Sequence, residues 1–296
     1  MKKPQKTWQL AFVLLLSIQL TGCGSGSESL PASAEPQITT STTIAKETQQ
    51  PSPNPAIPSS DATATPMPSA ASKPGESGVN APKYRMNAKT FRFEPISDKA
   101  TDKAVLLTFD DGPKDEGVLA SLLDTLDRHG AKAIFFVNGY RVKQNPELLK
   151  EIHARGQTIG NHSYDHIDLK KETDAVVEEQ LAKVQEDVER LTGVIPRFFR
   201  PPYGSGSEVV RQTAKNHGML YMTWSNGSLD WDKSAKDKPD VVIRNVLDQL
   251  HPGANILMHE LQWTADALDE LLSKLEKEGY TFIDPGSIEL ANRVTN

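Results

Sequence analysis

Two adjacent carboxylates end an apolar run in this 296-residue chain. Residues 104–109 read Ala-Val-Leu-Leu-Thr-Phe, Asp110 and Asp111 follow, and Gly112-Pro113 turns the backbone. Neighbouring carboxylates repel, so a metal on one and a cation or proton on the other would separate their roles. The plainer alternative is a strand whose polar end caps the next helix. His162 and His166 stand four apart, and on a helical turn they would share a face and hold one metal ion. With Asp111 they would form a set of two histidines and one carboxylate with an open position. A catalytic zinc needs that position, and non-haem iron uses the same set, so the ligand types do not name the metal. Arg200 opens Arg-Pro-Pro-Tyr-Gly at 200–204, where a guanidinium on a stiff turn could keep a nearby carboxylate ionised and aimed. A solvated Arg on a surface turn reads equally well. His259 ends the apolar run 255–258, a place where a histidine is more often structural. Asp230 on its second nitrogen would make it a tuned acid. Trp231 closes the polar loop 225–230 and suits either the wall of a sugar site or a rim that covers the core.

These residues need a scaffold that brings distant segments together. The hydrophobic pattern predicts strands at 104–109, 133–137, 158–161, from 198, 220–224, 255–258 and 281–283. It predicts helices at 117–129, 146–154, 172–191, 208–217, 240–250 and 265–277, with Gly130, Gly193 and Gly218 as stops. Such alternation implies an α/β fold, a parallel sheet with helices outside it. About seven strand-helix units favour a barrel over an open sheet, although periodicity alone does not decide. In both architectures active sites gather at the carboxyl ends of the strands. Asp110, Asp111, His162, Arg200 and His259 all stand just past a predicted strand, as does the loop after Trp224 that carries Asp230.

The five motifs, in order, are Thr-Phe-Asp-Asp-Gly-Pro at 108–113, His-Ser-Tyr-Asp-His at 162–166, Arg-Pro-Pro-Tyr-Gly at 200–204, Leu-Asp-Trp at 229–231 and Ile-Leu-Met-His-Glu at 256–260. Together they resemble the polysaccharide deacetylases, the carbohydrate esterase family 4 enzymes with a NodB homology domain, over residues 103–284. The resemblance implies a distorted (β/α) barrel and hydrolysis of N-acetyl groups assisted by one divalent metal ion, zinc first, with cobalt or another ion possible. It implies Asp110 as base, Arg200 as its orienting partner, and Asp111, His162 and His166 as metal ligands. It also implies His259 as acid with Asp230 as its partner, the Tyr203 N–H as an oxyanion donor, and Trp231 and Leu257 as the lining of the acetyl and sugar groove, beside Tyr203. The substrate implied is an extracellular N-acetylglucosamine-type polysaccharide, peptidoglycan or a chitin-like glycan. An acetylated xylan, cleaved as an ester, and a wall-binding protein without catalysis are the alternatives. The sequence departs from the family pattern at Asn226-Gly227, where an Asp often stands, and this bears on loop shape and substrate preference.

The rest of the chain suggests placement. Lys2, Lys3 and Lys6 precede an apolar run at 10–20, as in an export signal. The chain's one cysteine, Cys23, follows Leu-Thr-Gly and resembles the lipidated cysteine of bacterial lipoproteins. Residues 1–22 thus read as a lipoprotein signal peptide. Residues 23–82, rich in Ser, Thr, Ala and Pro, read as a disordered tether. Residues 83–102 are a short extension and 103–296 the catalytic domain. The expected location is the outer face of the cell membrane, held by lipid on Cys23 and facing the wall. A net charge of −6 with no basic cluster argues against a nucleic-acid partner, and no protein partner is implied.

Overall fold

The computed structural model describes residues 81–290. Cys23, the signal peptide and the tether through residue 80 lie outside the described residues. The chain runs β1 (Tyr84–Met86), β2 (Phe93–Pro95), β3 (Ala104–Gly112), α1 (Glu116–Arg128), β4 (Ala133–Val137), α2 (Gly139–Gln144), α3 (Pro146–Ala154), β5 (Thr158–Asn161) and α4 (Asp174–Thr192). It continues through β6 (Phe198–Phe199), α5 (Glu208–Asn216), β7 (Leu220–Tyr221), β8 (Asn226–Gly227), α6 (Pro239–Asp248), β9 (Ala254–His259), α7 (Gln262–Lys277) and β10 (Thr281–Phe282). Side-chain caps start several helices where the sequence places them: Asp115 accepts from the Val118 N–H, Thr173 from Val176 and Ser207 from Val210.

Eight strands form one parallel sheet, seven of them in the order β7-β6-β5-β4-β3-β9-β8. β10 joins beside the first residues of β3, at Ala104 and Val105, and β4 pairs with β3 from Leu107 on. No ladder joins β7 to β8 among the described residues, so the sheet is a distorted barrel with an open seam. The two faces of β3 go to different cores, as strand alternation requires. Val105, Leu107 and Phe109 pack under the helices, while Ala104 and Leu106 face the interior with Ile134, Phe136 and Phe198. Thr108 and Asp110 continue that inner row upward. Asn255, Leu257 and His259 follow the same rule on β9.

Residues 84–95 form a hairpin that closes the amino end of the barrel interior. Tyr84 and Phe93 are buried in the inner core, and the Phe93 N–H donates to the Gly253 carbonyl at 2.8 Å. Gly253, at φ 70°, passes so close that a Cβ there would lie 1.9 Å from the Phe93 oxygen.

The expected strand at 220–224 is shorter, ending at Tyr221. Beyond it the backbone has other partners, since the Thr223 carbonyl accepts from Arg200 Nη2 and Asn255 Nδ2. Asn226 and Gly227, expected in a loop, form β8 against β9. The helix α2 was not expected from the pattern, being only six residues long.

Candidate active site

The inner rows of β3 and β9 meet at their carboxyl ends. Asp110 lies in register with His259 on the neighbouring parallel strand, so the two prospective proton-transfer groups face one space. Regular pleating would turn Asp111 away from it. The register of β3 against β4 shifts between Asp110 and Gly112, and Asp111 takes φ 69°. This bulge turns two successive carboxylates into the same pocket. Gly112 then passes Glu260, whose Oε2 would lie 2.4 Å from a Cβ there. Glu260 Oε1 accepts from the Lys114 and Asp115 N–H groups, each at 2.8 Å, tying the turn after β3 to the end of β9.

Arg200 is fully buried across the barrel interior, over the Phe136 ring. Nη1 donates to Asp110 Oδ1 at 2.7 Å and to Thr108 Oγ1 at 2.8 Å; Nη2 donates to the Thr223 carbonyl and Asn255 Oδ1. Burial pushes its guanidinium below the usual range, and the Asp110 charge opposes that. The bond to Oδ1 leaves Asp110 Oδ2 toward the histidines, 3.7 Å from His162 Nε2.

His162 and His166 do come together, but no helical turn does it. The segment after β5 is a loop in which Ser163 (φ 65°) and His166 (φ 55°) are left-handed. That loop is held from several sides. Asn138 Nδ2 donates to the His162 carbonyl, and the Gly139 and Tyr140 N–H groups at the start of α2 donate to the Ser163 and Tyr164 carbonyls. Gln180 on α4 pairs reciprocally with Asp165 at 2.6 and 2.8 Å. His162 Nδ1 donates to the Arg200 carbonyl at 2.7 Å. A carbonyl only accepts, so the proton sits on Nδ1 and the Nε2 lone pair faces the pocket.

Asp111, His162 and His166 each offer a ligand atom, all within 4.8 Å of one another. Asp111 Oδ1 is buried without a hydrogen-bond partner, 3.5 and 3.1 Å from the two Nε2 atoms. Burial opposes its ionisation, but the imidazoles outweigh this and hold its carboxyl well below the usual carboxylate range. An orphaned carboxylate oxygen beside two imidazole Nε2 atoms fits a divalent cation with N/O preference.

His259 Nδ1 lies 2.7 Å from Asp230 Oδ1. Asp230 is fully buried, and its Oδ2 accepts from the His259 N–H and Thr264 Oγ1. The Trp263 indole N–H donates to the Asp230 carbonyl at 2.8 Å. Burial pushes the His259 imidazole down, but the Asp230 bond and the nearby carboxylates outweigh it, and the net direction is up. Trp231 meets His259 edge-on at 5.2 Å between ring centroids. Tyr203 (φ 59°, 68% exposed) stands edge-on to His166, and its hydroxyl donates to the His166 carbonyl.

Asp110, Asp111, His162, His166, Tyr203, Trp231, Leu257 and His259 border one open pocket of about 370 Å³, with Pro201, Gly204 and Trp224. That is at the small end of ligand pockets. Sequence reasoning missed Thr108, Asn255, Thr264, Trp263, Glu260 and Gln180. Thr108 and Glu260 stand inside two of the motifs and Asn255 directly before one, which was their one available signal.

Residues 97–222 match the family described as polysaccharide deacetylase. The chain is 41% identical over 184 residues to the peptidoglycan-N-acetylglucosamine deacetylase PgdA of Listeria monocytogenes, covering 62% of this chain and 38% of that protein. It is 36% identical over 183 residues to the peptidoglycan-N-acetylmuramic acid deacetylase PdaA of Bacillus subtilis, covering 61% and 69%. Among solved structures, a CE4 family pseudoenzyme from Bacillus anthracis matches with a TM-score of 0.58 and 34% identity, over 61% of this chain and 63% of that one. The chain thus spans well under half the length of the Listeria relative. Motif order, barrel and sequence similarity agree: the chain belongs to the polysaccharide deacetylase family.

Proposed function

We propose that the protein is a metal-dependent hydrolase that removes N-acetyl groups from N-acetylglucosamine-type residues of an extracellular polysaccharide, peptidoglycan first, releasing acetate. The observation that carries this is the pairing of Asp110 and His259 on adjacent strands, beside the Asp111–His162–His166 set. A divalent ion held by those three residues, zinc by preference, would polarise the acetyl carbonyl and acidify a water molecule. Asp110, held through Oδ1 by Arg200, takes the proton of the attacking water on Oδ2. The Tyr203 N–H donates to the developing oxyanion. His259, protonated and fixed by Asp230, gives its Nε2 proton to the leaving amine. The amide C–N bond breaks, and acetate and a free amino sugar leave. Trp231 and Leu257 line the groove for the acetyl group and the sugar ring.

A similar fold in a pseudoenzyme raises the reading of a wall-binding protein without catalysis. Against it, Asp110, His259 and the Asp111–His162–His166 set all border one pocket, as catalysis would require. The test is acetate release by the full chain from chitopentaose, peptidoglycan and acetylated xylan, after chelation and zinc add-back. Metal-dependent release from a glucosamine polymer supports the proposal. Release from xylan alone would make the protein an O-esterase, and release from none would leave the binding reading. We also propose that lipid on Cys23 holds the domain outside the membrane at the wall, through a tether formed by residues 23–82.

A further inference from the structure

We infer that Leu229 is a specificity-determining residue, an apolar shelf on which a sugar ring beside the deacetylated one rests. The inference builds on the deacetylase reading. The chain leaves β8 at Gly227, and buried Ser228 donates its N–H to the Leu257 carbonyl. It must then reverse so that Asp230 points inward to His259. Leu229 makes that reversal in a left-handed conformation, φ 53°, and its carbonyl accepts the Asp232 N–H to close the turn. The backbone requirement is real, but glycine or asparagine meets it with less crowding between Cβ and carbonyl. Leucine adds that crowding and leaves its side chain 40% exposed. Neither feature stabilises the fold.

The side chain instead continues the wall of the pocket. A methyl group built on Gly227 would lie 3.7 Å from Trp231, 3.8 Å from Trp224 Nε1 and 3.9 Å from Leu229 Cδ2. The three side chains therefore converge over one backbone position. Trp224 and Trp231 line the pocket, and Leu229 extends their apolar surface onto the rim. A pocket of about 370 Å³ leaves the rest of a polymer across that rim. Leu229 and Trp231 are both large, exposed apolar side chains, and there the C–H faces of a neighbouring ring find a surface to rest on.

The test compares kcat/KM for chitopentaose and chitobiose with the zinc-loaded full chain. Leu229→Gly and Leu229→Asn should cut the advantage of the long substrate about tenfold, mainly through KM, as expected for losing one leucine contact. Their melting temperatures should hold or rise, since both residues accept the left-handed backbone. Leu229→Met should keep the advantage. An unmoved ratio in the Gly and Asn variants overturns the inference alone, as does a fall in their melting temperature, which would make Leu229 a structural residue. A wild type that releases acetate from neither oligomer overturns the deacetylase reading and this inference with it.

Discussion

At the residue scale the site consists of two charged pairs with different tasks. Arg200 and Asp110 are both buried, and four acceptors surround the two Nη atoms of the guanidinium. Removing one partner strands the other charge in a low-dielectric interior. Arg200→Ala should therefore destabilise the fold by about 3–5 kcal/mol in urea unfolding; a loss under about 1 kcal/mol would mean that water reaches Asp110. The second pair sets a pH limit. In the proposed mechanism His259 acts as an acid only while protonated, so activity should be present below its raised pKa and be lost as pH rises through it. Asp230 supplies the largest favourable part of that shift, and the charges of Asp110 and Asp111 add to it. Asp230→Asn should move the alkaline limb of the kcat/KM profile to lower pH, and an unmoved limb would remove His259 from the acid role.

At the element scale, the inner row of β3 was readable from sequence. Alternation over 104–110 places Leu106, Thr108 and Asp110 on one face, and the same counting on β9 selects Asn255, Leu257 and His259. Three features were not readable. The bulge at Asp111 and the left-handed Ser163 and His166 need backbone conformations that L-residues rarely adopt, and no glycine marks them. Hence the histidine pair could be expected only on a helical turn, the common way to bring residues four apart together. Thr264 and Trp263 reach Asp230 from more than thirty residues away, a contact that local pattern does not encode. Gln180 on α4 is the third: it holds the metal-ligand loop through Asp165. Gln180→Ala should weaken zinc binding about tenfold, measured by competition with a chelating dye. Unchanged affinity would mean that α2 alone fixes the loop.

At the scale of the whole molecule, the barrel is closed at one end and open at the other. The 84–95 hairpin seals the amino end with Tyr84 and Phe93, while the carboxyl ends of the strands present the pocket. The sequence marks residues 83–102 only as a short extension, because the pairing of this hairpin with Gly253 depends on a glycine far along the chain. Phe93→Ala should lose about 3–5 kcal/mol by leaving a void under the inner core; a loss near zero would make the hairpin an appendage. Anchoring through Cys23 predicts that Cys23→Ala moves the protein from the membrane fraction to the soluble one, and retention in the membrane would assign the anchor to the apolar run 10–20.

In the proposed mechanism Asp111, His162 and His166 hold a metal ion beside Asp110 as base and His259 as acid. Acetate release from purified peptidoglycan by the full chain tests it most directly, measured after chelation, after zinc add-back, and in zinc-loaded His259→Ala. Release should vanish without metal and recover with zinc, and His259→Ala should lose at least ~10² in turnover with its metal content unchanged. Full release by the chelated protein, or near-wild-type turnover by His259→Ala, would contradict it.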